Sequence, residues 1–186
     1  MPLKCSIFIA TSLDGFIARK NGAIDWLNDP ANADEGEDYG YKTFFDSIDI
    51  MVIGRNTYEL ALTFDEWPYS GKKVVVLSSG APNIPANLAA SVEIMSGTPE
   101  EVARRLAENG TRHAYVDGGV TIQGFLQAGL IHEMTITTIP ILIGEGIPLF
   151  GKLDRDIRFQ HIETKAYPSG LVQSKYRAPG FTSPNP

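Results

Sequence analysis

Three segments of the chain place polar residues or glycines directly after a short apolar run. They are residues 53–57 (IGRNT), 76–80 (VLSSG) and 116–122 (VDGGVTI). If the apolar runs are buried parallel strands, these segments lie along the edge where open α/β sheets bind their ligands. Arginine side chains, hydroxyls and glycine backbone are all groups that bind phosphate. The three segments together therefore predict an anion site built from neighbouring turns.

Gly54 leads into a predicted helix whose first residues are Arg55, Asn56 and Thr57. Backbone amides at a helix start attract anions, and an arginine adds two parallel hydrogen bonds to a phosphate. Asn56 or Thr57 could instead serve to cap the helix. Both interpretations can hold at once, so the segment predicts a helix start with a phosphate-binding cation beside it.

Ser78 and Ser79 follow the next apolar run, and no carboxylate accompanies them. Dinucleotide sites that select NAD commonly use an Asp or Glu to bind the ribose hydroxyls, whereas a 2′-phosphate needs hydrogen-bond donors and positive charge. The two serines therefore favour a dinucleotide that carries the extra phosphate. The alternative is a plain Ser-Ser-Gly turn.

Two further turns contain an aspartate followed by glycine. In Asp117-Gly118-Gly119 the missing Cβ atoms would let the backbone approach a pyrophosphate at the start of a helix, although the spacing differs from the GxGxxG fingerprint. Residues 12–18 (SLDGFIA) interrupt the first apolar run at Asp14-Gly15, which taken alone is most simply a turn.

Short β-rich runs alternate with helical ones, which is typical of a sheet covered by helices on its faces. We expect helices after Gly54, over residues 99–109 and over 121–128, and an antiparallel hairpin as the last two strands. This predicts one α/β domain over residues 1–178, with a mostly parallel eight-stranded sheet and an unstructured tail at 179–186. The expected strands are residues 4–11, 49–54, 73–77, 92–95, 113–116, 133–139, 157–166 and 171–177.

Composition limits the partners of the protein. The 186 residues carry a formal net charge of -6, and so acidic a chain is a poor candidate for binding nucleic acid. The single cysteine, Cys5, and three scattered histidines have no metal-site spacing. No apolar run approaches the roughly 20 residues that span a bilayer. We expect a cytoplasmic protein that binds no metal, nucleic acid or membrane.

From Lys4 to Arg177 the chain resembles the dihydrofolate-reductase-like fold, and within it the group that includes the C-terminal reductase domain of the bifunctional riboflavin-pathway deaminase-reductase. Five blocks appear in the order of that family: SLDGFIA, IGRNTYE, VLSS, VDGG and a late stretch from Ile131 to Phe150. The resemblance implies a three-layer fold, NADPH-dependent reduction of a small molecule such as a pyrimidine or pteridine, and a homodimer. The alternatives are a dihydrofolate-reductase-like pteridine reductase, a nucleotide-binding protein without turnover and a purely structural dimer.

The resemblance also implies where NADPH would bind. Ala10 and Ile17 would flank the nicotinamide. Asp14, Trp26 and Tyr41 would surround the reacting centre, with Tyr41 as a candidate proton donor. The other implied cofactor contacts are Gly54, Arg55, Asn56, Thr57, Leu77, Ser78, Ser79, Gly118, Gly119, Val120, Thr121 and Ile122.

Two departures from the family concern the substrate. Dihydrofolate reductases carry a carboxylate four residues before a pterin-packing phenylalanine, and counting back from Phe44 or Phe45 gives Gly40 or Tyr41. The Arg and His residues that hold a ribosyl phosphate in riboflavin-pathway reductases are missing between Lys42 and Asp49 and from the loop before Lys42. The sequence therefore predicts weak dihydrofolate reduction and leaves the substrate open.

Overall fold

The computed structural model describes residues 3–29, 32 and 34–181. These residues form ten β-strands and four α-helices. The strands are β1 (Lys4–Ser12), β2 (Phe16–Ala18), β3 (Ile50–Gly54), β4 (Lys73–Leu77), β5 (Val92–Met95), β6 (His113–Asp117), β7 (Glu133–Ile139), β8 (Ile147–Pro148), β9 (Gln160–Ala166) and β10 (Val172–Arg177). The helices are α1 (Tyr41–Ser47), α2 (Arg55–Ala61), α3 (Pro99–Glu108) and α4 (Gly119–Gln127).

Eight strands form one sheet in the order β5-β4-β3-β6-β1-β7-β10-β9. All neighbours from β5 to β7 are parallel, and β10 is antiparallel to both β7 and β9. Val52 in β3 and Val75 in β4 are fully buried, because central parallel strands are covered on both faces. The predicted sheet, mostly parallel with a C-terminal antiparallel hairpin, is confirmed.

Each face of the sheet carries its own pair of helices. On one face, Leu106 of α3 and Phe125 of α4 pack against Val52. On the other face, Tyr58 of α2 packs with Met51, and α1 lies against the same cluster. Successive side chains of a strand point to opposite faces, which explains why neighbouring residues of β3 enter different cores. We refer to these as the α3–α4 face and the α1–α2 face.

Helix α3 begins at the predicted residue, whereas α4 begins two residues before the predicted one. Thr98 Oγ1 accepts a hydrogen bond from Glu101 N at 3.3 Å, and Glu101 Oε2 accepts one from Thr98 N at 2.9 Å, which is a capping box. Helix α4 begins at Gly119 instead of at Thr121. Gly118, with a φ of 92°, turns the chain directly from β6 into the helix, a conformation that glycine adopts readily.

Some elements lie outside the pattern that the sequence predicts. β2 and β8 pair antiparallel in a small separate sheet, and strands of three and two residues are too short to show a periodicity. β9 begins at Gln160, three residues after the predicted start. The domain boundary at residue 178 stays a prediction, and residues 182–186 of the predicted tail lie outside the described residues. Among the described helices, none is long and apolar enough to cross a membrane.

Candidate functional site

The carboxyl ends of β3, β4 and β6 bring the three predicted anion-binding segments to one edge of the sheet. β3 lies between β4 and β6, so Gly54 pairs with Leu77 and Ile53 pairs with Asp117. The turns that follow these strands are therefore neighbours, as the parallel arrangement requires. β1 lies on the far side of β6 and adds its own carboxyl end to the same edge.

The turns after β3 and β6 interlock through two glycines. A Cβ atom on Gly54 would lie 2.8 Å from Thr121 Oγ1, and a Cβ atom on Gly118 would collide with Thr57 Oγ1. Each threonine thus occupies the space that a side chain would need at the glycine of the other turn. Thr57 and Thr121 therefore belong to the frame that fixes the relative positions of the two helix starts.

The first turn of α4 presents backbone amides that no side chain caps. It contains no acidic residue. Val120 is 83% exposed, so this helix start is open to solvent. Ile122 is fully buried and its amide donates to Gly118 O at 2.8 Å, so it has neither an exposed side chain nor a free N–H for a ligand. A Cβ atom on Gly119 would lie 2.9 Å from Ile147 Cγ2, so this glycine also serves packing.

Arg55 and the serines after β4 lie together. A Cβ atom on Gly80 would be 4.0 Å from Arg55 Nη1 and 3.9 Å from Ser78 Oγ. Ser78 Oγ accepts a hydrogen bond from Gly80 N at 3.1 Å, and Ser79 beside it is exposed. Arg55 Nε donates to Glu59 Oε1 at 2.6 Å. The Arg55 guanidinium and the Ser78 hydroxyl thus lie together at the end of β4, which suits a bound phosphate.

The remaining predicted cofactor residues are divided between surface and core. Asn56 is exposed in the first turn of α2, where no side chain forms a cap. Leu77 and Ile17 are half-buried and pack against the core of the α3–α4 face. Ala10 packs against a separate cluster that contains Trp26. The described contacts therefore do not bring Ala10 and Ile17 into one cluster.

Asp14 joins two loops at the edge of the site. Its carboxylate accepts hydrogen bonds from Ser12 Oγ at 2.6 Å, Gly144 N at 2.8 Å and Ile143 N at 3.3 Å. The hydrogen bond from Ser12 is the largest of the effects that lower the pKa of Asp14. Ser12 is the last residue of β1, and the two amides belong to the loop after β7. The hydrogen bonds of this predicted catalytic residue therefore fix the loop after β1 to the loop after β7.

We expect Asp14→Ala to loosen residues 141–146 and leave the sheet intact. Removing hydrogen bonds to a charged group should speed amide exchange at Ile143 and Gly144 by about tenfold or more. Hydrogen–deuterium exchange measured by mass spectrometry would follow this segment. Asp25→Ala, which removes an equally exposed aspartate bonded to Arg19, should not change it. Unchanged exchange in Asp14→Ala would mean that the pairing of β2 with β8 holds the loops alone.

Trp26 is buried at 3% exposure in a third apolar cluster, with Ile139, Tyr167 and Leu171. Its indole Nε1 has no hydrogen-bond partner among the residues that the structure describes. Buried indole N–H groups usually have a partner. The Trp26 indole N–H therefore has no described partner, and it belongs to the cluster against which Ala10 of β1 packs.

Tyr41 is the first residue of α1, and its ring packs against Phe8 of β1 and against Phe45. The ring centroids are 5.6 Å and 5.5 Å apart, respectively. Burial and, to a smaller extent, the negative charge of Asp117 raise the pKa of Tyr41 to about 12. A phenol with this pKa is a weaker acid than an ordinary tyrosine. A proton donor at this site therefore has to be sought in a stronger acid.

Glu37 and Asp38, the acids that precede Tyr41, are bound within their own loop. Glu37 Oε1 accepts a hydrogen bond from Tyr39 N at 2.9 Å, and its other oxygen pairs with the exposed Lys165 at 3.4 Å. Asp38 accepts hydrogen bonds from the amides of Gly40 at 2.9 Å and Lys42 at 3.0 Å. Both acids are exposed, so neither replaces the missing pterin-binding carboxylate.

Asp117 is a functional candidate that the sequence analysis did not select. It is half-buried at the end of β6, and its Oδ1 accepts a hydrogen bond from Gly118 N at 2.8 Å. Burial raises the pKa of Asp117 to about 6. The charge of this carboxylate adds to the effect of burial in raising the pKa of Tyr41, Tyr69 and Tyr115. One acid and three phenols therefore form a single electrostatic cluster at the site.

A signal for Asp117 was present in the sequence. Tyr115 of β6 packs in the core of the α1–α2 face, and residues two apart in a strand share a face. Asp117 therefore had to lie at the end of a buried strand, on the face that carries α1. The glycines next to it direct attention to phosphate binding and away from the carboxylate itself.

The family model of the RibD C-terminal domain matches residues 4–173 of the chain. The chain belongs to the RibD C-terminal domain family. The match covers all strands of the main sheet except the end of β10. It confirms the resemblance on which the expected fold and the expected reductase activity were based.

Relatives of this RibD C-terminal domain extend over its whole length. The uncharacterized protein YwjB of Bacillus subtilis (strain 168) is 34% identical over 180 residues, which are 96% of this chain and 100% of YwjB. A crystal structure from Shewanella sp. PV-4, of a protein named "Putative riboflavin biosynthesis protein", has 40% identity and a TM-score of 0.85, and the match covers 95% of this chain and 99% of that one.

A more distant structure confirms the dihydrofolate-reductase-like fold of the RibD C-terminal domain. Dihydrofolate reductase from Enterococcus faecalis, solved in complex with NADP(H) and an additional ligand, has a TM-score of 0.65 at 16% identity. The match covers 95% of this chain and 96% of that chain. At this identity the likeness is one of fold.

We expect Asp117→Asn to stabilise this RibD C-terminal domain at alkaline pH. The pKa of about 6 in the folded protein lies above 3.8, the ordinary pKa of an aspartate, so ionised Asp117 disfavours the folded state above about pH 6, and this penalty disappears as the pH falls toward 4. The free energy of unfolding of the variant should exceed that of the wild type by about 3 kcal/mol at pH 8.

Urea unfolding at pH 8 and pH 4 measures this difference, and the two proteins should converge at the lower pH. A variant that is less stable than the wild type at pH 8 would mean that the hydrogen bond from Gly118 N to the carboxylate outweighs its burial.

Proposed function

We propose that the protein is an NADPH-dependent reductase of a small heteroaromatic molecule, such as a pyrimidine or a pteridine. The observation that carries the proposal is the position of Arg55 beside Ser78 at the end of β4, next to the open start of α4. Membership of the RibD C-terminal domain family supports a reductase. The fold shared with an NADP(H)-bound dihydrofolate reductase supports the choice of cofactor.

The residues at the edge of the sheet fit this cofactor. Arg55, Ser78 and Ser79 would hold the 2′-phosphate, because the guanidinium and the hydroxyls are hydrogen-bond donors. Glu59 is the acid bonded to Arg55, through Nε, in the part of the chain that the structure describes. The amides of Gly119 and Val120 would meet the pyrophosphate, since the first amides of a helix have no partner within it. When bound, NADPH supplies the hydride.

Asp117 would supply the proton. A carboxyl with a pKa of about 6 is partly protonated near neutral pH, whereas the Tyr41 phenol with a pKa of about 12 gives up its proton far less readily. A catalytic acid works best when its pKa lies near the working pH. Tyr41 would then position the substrate ring, together with the ring of Phe8 that it contacts.

The shape and polarity of the site favour a flat substrate that carries no phosphate. Phe8 stacks on Phe44 with centroids 5.0 Å apart, and Tyr41 stacks on Phe45, so the wall formed by α1 and β1 is aromatic. Trp26 adds an indole N–H without a described partner. The carboxyl of Asp117 would hydrogen-bond the polar edge of a nitrogen heterocycle, and α1 offers no Arg or His to hold a phosphate on the substrate.

Binding and turnover test the proposal separately. Titration followed by tryptophan fluorescence should give a lower dissociation constant for NADPH than for NADH. Loss of NADPH absorbance should then depend on enzyme with at least one acceptor from a panel of dihydropteridines, pyrimidines and quinones. Absence of binding would refute the proposal. Tight binding without turnover on the whole panel would favour the nucleotide-binding alternative and would refute the reductase activity.

A further inference from the structure

The carboxyl end of α1 depends on groups that come from outside the helix. Helix α1 has seven residues, none of which is buried, and its last turn contains no basic residue. A helix of about two turns is marginally stable in water without tertiary contacts. The last carbonyl groups of a helix also have no partner within it. The position of α1 therefore depends on the groups that bind those carbonyls.

Lys72, in the loop before β4, binds two of these carbonyls. Its ammonium Nζ donates to Ile48 O at 2.6 Å and to Asp46 O at 3.3 Å. Ile48 is the residue directly after α1, so both hydrogen bonds fall at the helix end. The helix dipole makes this end partially negative, and a cation there is stabilising. Lys72 thus supplies the positive charge that α1 itself lacks in its last turn.

His113, the first residue of β6, binds a third carbonyl but carries no charge. Its Nδ1 donates to Ser47 O at 3.1 Å, since a carbonyl can only accept, and its Nε2 accepts from Ser6 Oγ at 2.8 Å. Burial lowers the pKa of His113 to about 4, so the imidazole is neutral near pH 7. Of these two side chains, Lys72 is therefore the one whose hydrogen bonds to α1 are charge-assisted and stronger.

Lys72 also contacts the aromatic side chains of α1. Its Nζ lies over the ring of Phe45, 5.4 Å from the ring centroid, which is within the range of a cation–π contact. Phe45 stacks with Tyr41, and Tyr41 packs against Phe8 of β1. A single side chain thus contacts both the backbone end of α1 and the aromatic wall that α1 forms with β1.

The loop that carries Lys72 is itself packed into the α1–α2 face. Trp67 packs edge-on against Tyr58 of α2 and against Tyr69, with ring centroids 6.0 Å and 5.1 Å apart. Both tyrosines are buried. Lys72 N donates to Tyr69 O at 3.2 Å. Lys72 therefore reaches α1 from a segment that the core holds in place.

We propose that Lys72 is a positioning residue for the substrate, which it serves by fixing α1 and the aromatic wall; the proposal rests on the proposed reductase function. Its ammonium binds α1, so it acts through the helix and not on the reacting atoms. Asp117 and the predicted phosphate-binding turns lie at the ends of β3, β4 and β6, outside α1. Loss of Lys72 should therefore weaken substrate binding and spare both NADPH binding and the chemical step.

Steady-state kinetics test this role with the acceptor of the panel that the wild type reduces fastest. Lys72→Met keeps an apolar stem but has neither charge nor donor, and it should raise the KM for this acceptor about tenfold. The kcat and the dissociation constant of NADPH should stay within about twofold of the wild type, which is the pattern of lost uniform binding. Lys72→Arg keeps a cation with several donors and should restore most of the KM.

Amide exchange shows whether Lys72 fixes α1, and it needs no substrate. Hydrogen–deuterium exchange measured by mass spectrometry should be about tenfold faster or more in peptides that contain residues 44–48 of Lys72→Met. Lys73→Met is the matched control, because Lys73 is the neighbouring lysine and is exposed at the start of β4. It should change neither the KM nor the exchange of α1.

Each result supports or overturns the proposal. Faster exchange and a raised KM in Lys72→Met, with wild-type values in Lys73→Met, support it. Unchanged exchange overturns it, because other contacts then hold α1, and faster exchange with an unchanged KM overturns it because α1 then does not position the substrate. A wild type that reduces no acceptor of the panel refutes the reductase function as well, whereas the other two results leave that function standing. If Lys72→Met fails to fold, Lys72→Gln, which also removes the charge, gives the answer.

Discussion

Asp117→Asn should slow the NADPH-dependent reduction of any accepted substrate by about 10²–10⁴-fold, which is the usual contribution of a positioned acid. Asparagine has nearly the same shape as aspartate, and its carbonyl can still accept the hydrogen bond from Gly118 N. It has no proton to transfer at the acidity required. NADPH affinity should therefore change little, which separates proton transfer from cofactor binding.

The pH dependence of the rate provides a second readout. The protonated form of Asp117 is the active one in this proposal. The value of kcat/KM, which reports groups of the free enzyme, should therefore fall as the pH rises through about 6, the pKa of Asp117. The phosphates of a cofactor bound at the adjacent start of α4 add negative charge and should move this fall to higher pH. The residual rate of Asp117→Asn should be flat over the same range.

Asp49→Asn is the matched control for this variant. Asp49 precedes β3 at the opposite edge of the sheet and accepts hydrogen bonds from the amides of Arg112 and His113. Its replacement should leave the rate and its pH profile unchanged. If Asp117→Asn keeps the wild-type rate, the proton comes from solvent or another residue, and the raised pKa of Asp117 reflects only its burial.

Arg55→Gln should weaken NADPH binding by about ten- to a hundredfold and leave NADH binding nearly unchanged. A charge-assisted hydrogen bond contributes roughly 1.5–3 kcal/mol, and only NADPH carries the 2′-phosphate that this guanidinium would bind. Glu59→Gln should act in the opposite direction, because it removes the carboxylate that holds Arg55 Nε at 2.6 Å. Calorimetric titration of both nucleotides measures the three effects.

Arg104→Gln is a close control for this experiment. Arg104 pairs with Glu108 one helical turn later, as Arg55 pairs with Glu59, and the side-chain exposures of the two pairs are similar, 60%/58% against 55%/48%. It lies on α3, away from β4. Equal losses of NADPH and NADH affinity in Arg55→Gln would place this arginine at a phosphate common to both nucleotides.

The fold could be predicted from the sequence because its signals are local. The apolar run in β4 and the capping box at Thr98 each identify their element without help from distant residues. The β2–β8 pair could not be predicted in this way. It depends on the close approach of Gly146 to Ala18 O, in which a Cβ atom would collide with that oxygen, and residues so far apart in sequence leave no common pattern.

Only the phosphate-binding turns of the site could be predicted, because only they have a local sequence signal. Phosphate-binding turns can be recognised because glycine, arginine and serine follow a strand in a fixed order, and the structure does place Arg55 beside Ser78. The role of Asp14 and the raised pKa of Asp117 depend on which groups surround each carboxylate after folding. Hydrogen bonds from Ser12 and Gly144 lower the pKa of Asp14, whereas burial at the end of β6 raises the pKa of Asp117. These contacts form only in the folded chain, so the sequence does not show which acid holds a proton.

The interlocked glycines determine how much freedom the protein loses when it binds a dinucleotide. Because Thr57 fills the space beside Gly118 and Thr121 fills the space beside Gly54, the starts of α2 and α4 cannot move independently before a ligand arrives. A molecule that bridges the two turns therefore meets donors whose separation is already set, and little conformational entropy is lost on binding. The two threonines thus contribute to affinity through preorganisation, even though neither hydroxyl needs to touch the ligand.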